Sequence, residues 1–148
     1  MAAVPDDEPN IGLLLFIPYR EMENRVLSAI ASAGFDDITV AQARLFQRIG
    51  PDGSRLTDLA EQAQVTKQTA GFLVDQLERA GYVERTPDPT DGRARLVRIA
   101  RRGAAAGEVA AKVVAEVEAE WTAYLGAQRM AQLRRSLTKL REITDPYT

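Results

Sequence analysis

Apolar positions recur at steps of three and four along most of the chain and alternate in only one short stretch. That pattern predicts a mainly helical fold with a single small hairpin. Over residues 11–33, Met22, Val26, Leu27, Ile30 and Ala33 share one helical face. Ahead of Pro18 the same segment is apolar nearly all round, through Ile11, Leu13, Leu14, Leu15, Phe16 and Ile17. Such a helix must be covered on more than one side. Pro18 lacks a donor and crowds the preceding turn, so a kink or a restart is expected there. A second helix over residues 40–49 follows Thr39, a good N-cap by residue type. Gly50-Pro51-Asp52-Gly53 then reads as a turn.

Two helices follow closely. Thr57 is placed to cap residues 58–64, with Leu59, Ala60 and Ala63 pointing inward. Thr66 is placed to cap residues 67–80, where Ala70, Leu73, Val74 and Leu77 fall at i, i+3, i+4 and i+7, and Gly81 closes the helix. Residues 82–85 alternate like a short strand, and residues 96–99 read as its return, with Val97 and Ile99 on one face. The turn-rich segment 87–92 lies between them, and its Asp91-Gly92 step favours a tight reversal. From about Gly103, Val109, Val113, Val117, Trp121 and Leu125 repeat at steps of four. A last helix carries Met130, Leu133, Leu137 and Leu140, with Arg134, Arg135, Lys139 and Arg141 mostly outward.

Two short helices, the second amphipathic and capped, followed by a hairpin with a basic tip make a winged helix-turn-helix. In that arrangement the second helix lies in a major groove with its N-terminal residues at the base edges. The hairpin reaches the neighbouring backbone or minor groove, whose narrow electronegative slot suits arginine. Here the helix starts Thr66-Lys67-Gln68-Thr69, hydrogen-bonding side chains with free helix N–H groups suited to bases and phosphates. Arg93 and Arg95 supply the hairpin tip.

Composition narrows the function classes. The 148 residues are 45% hydrophobic and 27% charged, ordinary for one globular domain. Without cysteine or histidine there is no disulfide, no thiolate nucleophile and no sulfur-ligated metal, and the usual acid–base side chain near pH 7 is missing. No cofactor or metal is expected, and the chain does not read as an enzyme. Glu116 and Glu120 share a face at i+4, and Asp36-Asp37 are adjacent, but acid–base carboxylates need a cleft and opposed environments. A net charge of -2 argues against coating nucleic acid by bulk charge. The charge is unevenly placed, however. Residues 1–50 carry four basic and seven acidic groups, whereas from Gly92 to Gly103 there are five arginines (Arg93, Arg95, Arg98, Arg101, Arg102) and no acid. The most apolar run, 13–17, is too short for a membrane span. The acidic start (Asp6, Asp7, Glu8) is unlike a signal peptide, so a cytoplasmic location is expected.

The wing also resembles that of the MarR-type (multiple antibiotic resistance regulator) transcription factors. Asp88-Pro89-Thr90-Asp91-Gly92-Arg93, followed by Val97, Ile99 and Gly103, is similar to the family pattern D-P-x-D-x-R…V-x-L-T-x-x-G. Residues 74–85 resemble the family's recognition-helix exit and residues 38–42 its second-helix start, so the likeness covers about residues 11–143. It implies a single MarR-type chain over 1–148, with a winged helix-turn-helix lobe at 36–102. Residues 10–35 and 103–145 become dimerisation helices that intertwine two copies. That would explain the over-apolar first helix. The implied function is a regulator of repressor type that binds double-stranded DNA as a homodimer, with no membrane association.

The resemblance assigns roles residue by residue. Arg93 would enter the minor groove, held by Asp91 through a charge-assisted hydrogen bond. Lys67, Arg95 and Arg55 are candidate phosphate contacts. Many members bind small aromatic or lipophilic effectors between the dimerisation helices and the lobe; Phe16, Tyr19, Arg20, Phe35 and Phe46 are the candidates here, with Trp121 and Tyr124 assigned to dimer packing. Two departures matter. Ile99-Ala100 stands where Leu-Thr is common, so the fifth helix loses a threonine cap. Gly71 and Phe72 occupy recognition-helix positions where polar or basic residues are common, which shifts reliance to Gln68, Thr69 and DNA shape; Phe72 fits either the core or the DNA face. A winged-helix module used only for protein contacts remains the alternative from another class.

Overall fold

A computed structural model describes residues 8–147; Asp6 and Asp7 of the acidic start lie outside the described residues. Among the described residues the elements run α1 (Ile11–Ser32), α2 (Val40–Phe46), α3 (Leu56–Ala63), α4 (Lys67–Arg79), β1 (Val83–Asp88), β2 (Asp91–Ile99), α5 (Arg101–Leu125) and α6 (Ala127–Thr144). This is the mainly helical winged helix-turn-helix that the periodicity predicts. None of these helices is long and apolar enough to cross a membrane.

Caps set most of the boundaries. The Asn10 side chain accepts from the Leu13 N–H at 2.8 Å. Thr39 and Gln42 form a reciprocal capping box at the head of α2. Thr66 accepts from the Thr69 N–H at 3.0 Å. At the head of α3 the expectation fails. Arg55, not Thr57, holds the N-cap position and, having donors but no acceptor, offers no side-chain cap; its guanidinium lies 2.8 Å from Asp88 instead. Ala100 likewise leaves α5 without a side-chain cap.

Three other expectations are corrected. Pro18 lies inside a continuous α1, with no restart. α2 ends at Phe46 rather than Ile49. The chain tightens there into i→i+3 bonds (Ile49 N–H to the Phe46 carbonyl, 3.1 Å) that fold Ile49 into the core ahead of Gly50-Pro51. The wing strands are longer than the alternation suggests and run from Val83 to Asp88 and from Asp91 to Ile99. The reversal therefore falls at Pro89-Thr90, and Asp91-Gly92 opens the return strand instead of making the turn.

The core belongs to the lobe. Leu45, Leu59, Val74, Leu77, Val83 and Val97 are fully enclosed, and Ala106 of α5 closes the cluster. Ser54 pairs with Val97 as an isolated bridge at the wing base. Outside the lobe, burial is sparse. α1 buries Ile30, α5 buries Gly103, Ala106 and Val117, and α6 buries no residue. Leu13–Ile17 and the α6 stripe Leu133, Leu137, Leu140 and Ile143 stay exposed. Ion pairs tie these helices together, Arg25 to Glu120 and Arg134 to Glu118 at 2.9 Å. The acids of the α5 face thus serve as struts between helices. Arg48 links the end of α6 to the lobe, 3.0 Å from Asp145.

One seam joins the lobe to α5. A Cβ on Gly103 would lie 2.1 Å from the Tyr82 carbonyl oxygen and 3.0 Å from the Phe46 ring, so only glycine lets α5 pass this close. Gly71, in mid-α4, is different: an added Cβ meets only Leu56 Cδ2, at an ordinary 3.7 Å. Gly103→Ala should therefore cost about 2 kcal/mol or more through overpacking, and Gly71→Ala should add about 0.5–1 kcal/mol of helix propensity. Urea unfolding midpoints of the two variants, moving in opposite directions, check this; a neutral Gly103→Ala would refute the seam.

Candidate nucleic-acid interface

α4 presents two opposed faces. Ala70, Leu73, Val74 and Leu77 are buried. On the far side Gln68, Phe72, Asp75 and Arg79, at steps of four, three and four, form an exposed row. Thr66, Lys67, Gln68 and Thr69 are all exposed at the helix start. The Lys67 and Gln68 amides have no intrahelical acceptor, so they point a partial positive charge outward. Phe72 is exposed, which settles its two sequence readings against the core.

The wing is pinned by Asp88, which is only 6% exposed. Its Oδ1 accepts from the Thr90 N–H (2.8 Å) and hydroxyl (2.7 Å). Its Oδ2 accepts from Arg55 Nε (3.0 Å) and Nη2 (2.8 Å). A buried carboxylate so fully satisfied is tolerated. The two Thr90 donors, then Arg55, hold its pKa at about 2 against an ordinary 3.8. Arg55 therefore ties the wing to the head of α3, a role the sequence reading did not assign. Asp91 also behaves differently from expectation: it accepts from the Arg93 backbone N–H at 3.0 Å and not from the guanidinium. The Asx-type bond is local and shapes the strand start, which leaves the Arg93 side chain unpaired.

The arginine run divides into two groups. Among the described residues Arg93, Arg95 and Arg101 are exposed and form no ion pair. Arg98 donates to Thr86 Oγ1 at 2.9 Å across the hairpin. Arg102 turns inward, 3.0 Å from Asp37 and 2.8 Å from the Ala80 carbonyl, with its guanidinium 4.3 Å from the centre of the Tyr82 ring. Arg55, Lys67, Arg85 and Arg95 converge on one open hollow of about 370 Å³ between the heads of α3 and α4 and the wing. Arg85 was missed by sequence reasoning. It bridges Asp75 and Glu78 at 2.8 Å each, masking the acids that α4 carries toward its exposed face. The one available signal was their i, i+3 spacing, which gives no hint of a partner on β1.

A second feature lies on the opposite side of the lobe. A largely apolar crevice of about 260 Å³ opens between α1, α2 and α5, with Tyr82 in its wall. Of the five effector candidates, Tyr19 and Phe46 line it; Phe16, Arg20 and Phe35 do not. Phe16 lies on exposed α1 surface with the Arg20 guanidinium 6.0 Å above its ring. Phe35 packs 6.2 Å from Tyr82 beneath Arg102. Residue type alone did not separate wall from surface: Phe16 lies one turn before Tyr19, beyond the end of the crevice, and Phe35 lies past the end of α1. The crevice rim holds a pair the sequence did not suggest, Arg44 to Glu23 (Nε to Oε2 2.9 Å, Nη2 to Oε1 3.0 Å). Arg44 lowers the Glu23 pKa from its ordinary value, helped by the Tyr19 hydroxyl 3.0 Å away.

Residues 36–94 match the MarR family. Among solved structures, Escherichia coli MarR in its apo form is similar at 26% identity, over 90% of this chain and 98% of that chain, with a TM-score of 0.69. A MarR family protein of Mycobacterium tuberculosis in complex with salicylic acid is similar at 28% identity, over 92% and 99%, with a TM-score of 0.65. A mutant of E. coli MarR complexed with operator DNA is similar at 26% identity, over 88% and 92%, with a TM-score of 0.66. No curated protein matches by sequence.

The Asp88 cluster makes a pH prediction. A carboxyl whose folded pKa lies below its unfolded value stabilises fully above the unfolded value and loses that contribution as pH falls through the folded one. For Asp88 the window runs from about 3.8 down to about 2. Asp88→Asn should loosen the wing at pH 7, seen as faster hydrogen exchange at the Thr90 amide. The difference from the parent chain should close toward pH 2; an equal difference at both pH values would contradict the assignment.

Proposed function

The chain belongs to the MarR family, and on that premise we propose that it is a DNA-binding repressor that holds a pseudo-palindromic operator as a homodimer. The observation that carries the reading is one surface: the exposed head of α4, with Thr66, Lys67, Gln68 and Thr69, stands beside a wing whose Arg93 and Arg95 are unpaired. α4 would enter the major groove, Arg93 the adjacent minor groove, and Lys67 and Arg95 the phosphates between them. Arg55 would keep the wing at the required angle through Asp88, and it lines the same hollow.

The dimer follows from unpartnered apolar surface. Among the described residues the α1 start and the α6 stripe stay exposed, and Tyr124 at the end of α5 is 91% exposed. A second copy laid against these helices would bury them and set two α4 helices toward one duplex. The half-sites would then fall about 10 bp apart, or a multiple of that. The apolar crevice supports a small aromatic or lipophilic effector. It touches α1, α2 and α5 together, so a ligand that prefers one spacing of lobe and dimer helices shifts the population toward it. Because Arg44 is already committed to Glu23, the crevice favours apolar ligand surface over a carboxylate.

Footprinting on DNA flanking its own gene should reveal a protected pseudo-palindrome. Arg93→Ala should weaken binding to that site by about tenfold or more with an unchanged unfolding midpoint. Neutralising both Arg93 and Arg95 should also flatten the salt dependence, by about one unit of log–log slope per arginine. Unchanged affinity in gel shifts would sink the minor-groove role. Partner capture that is insensitive to salt and to these arginines would favour the protein-contact alternative.

A further inference from the structure

Phe72 is 58% exposed, although the other aromatics of the lobe are packed, Tyr82 in the core and Phe46 against it. It stands one turn beyond Gln68, on the row directly opposite Ala70, Leu73, Val74 and Leu77. α4 packs on α2, α3 and β1 through that buried side. Phe72 is thus turned away from its own lobe. Nor does it join the apolar surface of α1 and α6, which the dimer would bury at the other end of the fold. A phenyl ring left in water at this position forgoes the stabilisation that burial gives elsewhere, and it has no donor or acceptor with which to read a base.

We propose that Phe72 is a specificity-determining residue that recognises thymine in each operator half-site by packing its ring on the C5-methyl group. The inference rests on the operator-binding reading above and adds the base it selects. Thymine's methyl is the one apolar group on the major-groove edge of the four bases, so it is the complement available to a ring carried there. The register fits. A helical residue four positions beyond Gln68 lies about 6 Å further along the axis, close to two base-pair steps of about 3.4 Å. Gln68 therefore takes hydrogen bonds from one base edge while Phe72 meets a methyl about two steps on. Gly71 leaves the flank of α4 beside the ring without a side chain, and the neighbouring Asp75 carboxylate is drawn off to Arg85. The ring is accordingly free to meet the groove floor.

Deoxyuridine provides the test, because it keeps every hydrogen-bonding group of thymidine and lacks only the methyl. Synthetic duplexes of the footprinted operator, with each half-site thymine replaced in turn, are titrated against the full chain. At one thymine, symmetry-related in the two half-sites, uracil should lower affinity about threefold to tenfold. Phe72→Ala should bind the unmodified operator more weakly by a similar factor, become indifferent to that uracil, and unfold at the parent's midpoint. Phe72→Leu should keep part of the discrimination. A chain that binds the operator but is indifferent to every uracil overturns the proposal alone, as does a Phe72→Ala variant that still senses the methyl. A chain that binds none of the flanking DNA overturns both this and the operator reading.

Discussion

Tyr82 is the point on which the rest of the molecule depends. Its amide ends α4 by donating to the Leu77 carbonyl at 2.9 Å, one residue after Gly81 turns the chain at a φ of 84°. Its carbonyl accepts from Ala100 at 3.0 Å and lies against Gly103, so it sets both the closing of the wing and the angle at which α5 departs. Its hydroxyl donates to Asp37, and Arg102 clasps ring and carboxylate from above. Burial, reinforced by Asp37, pushes the hydroxyl well above its ordinary pKa. It therefore stays a donor throughout the physiological range. Three segments far apart in sequence meet in these few contacts.

The same residue lines the apolar crevice, which would give the proposed regulation a physical route. A ligand in the crevice bears on Tyr82 and Phe46, and both touch Gly103 or its immediate neighbours. Because the seam already excludes even one methyl group, a displacement there would have to be taken up by moving α5 against the lobe. Packed interfaces of this kind shift between discrete arrangements rather than yield continuously. The wing, by contrast, is insulated. Its own staple, Asp88 to Arg55 and Thr90, anchors it to α3, so it would move with the lobe as one body.

Much of this was legible in the sequence, and the parts that were not share a cause. Caps at Thr39 and Thr66, the buried phase of α4, and the existence of the wing follow from local periodicity and turn chemistry, where the deciding contacts lie within four residues. At the head of α3 the helix starts at Leu56, ahead of the Thr57 cap expected from residue type, and the Arg55 tie to Asp88 spans thirty-three positions that local patterning does not connect. The Asp91 role was misread because a backbone N–H two residues on outcompetes a flexible guanidinium. Arg98 and Arg102 looked equivalent to Arg93 and Arg95 in a run of like charge, yet the first two are half-buried and committed to partners within the fold. Charge patterning counts arginines, but it does not show which already have a carboxylate or carbonyl. The same limit applied to the crevice, which Tyr19 lines while Phe16, one turn earlier on the same α1 stripe, lies beyond its end.

The division of the arginines bears directly on how such a protein would hold DNA. At a net charge of -2 the surface supplies little nonspecific attraction, and among the described residues of the proposed interface Lys67, Arg93 and Arg95 form no ion pair. Arg85 contributes by cancelling Asp75 and Glu78, so that α4 can approach phosphate without two exposed acids in its path. With the sequence-independent part of binding so small, discrimination must come from what α4 reads and from the fit of two lobes to two half-sites. Affinity of that kind is sensitive to lobe spacing, because misplacing one lobe removes its few contacts together. On the proposed reading, a crevice ligand would release the complex only to the extent that it prefers one setting of the Tyr82 seam over the other.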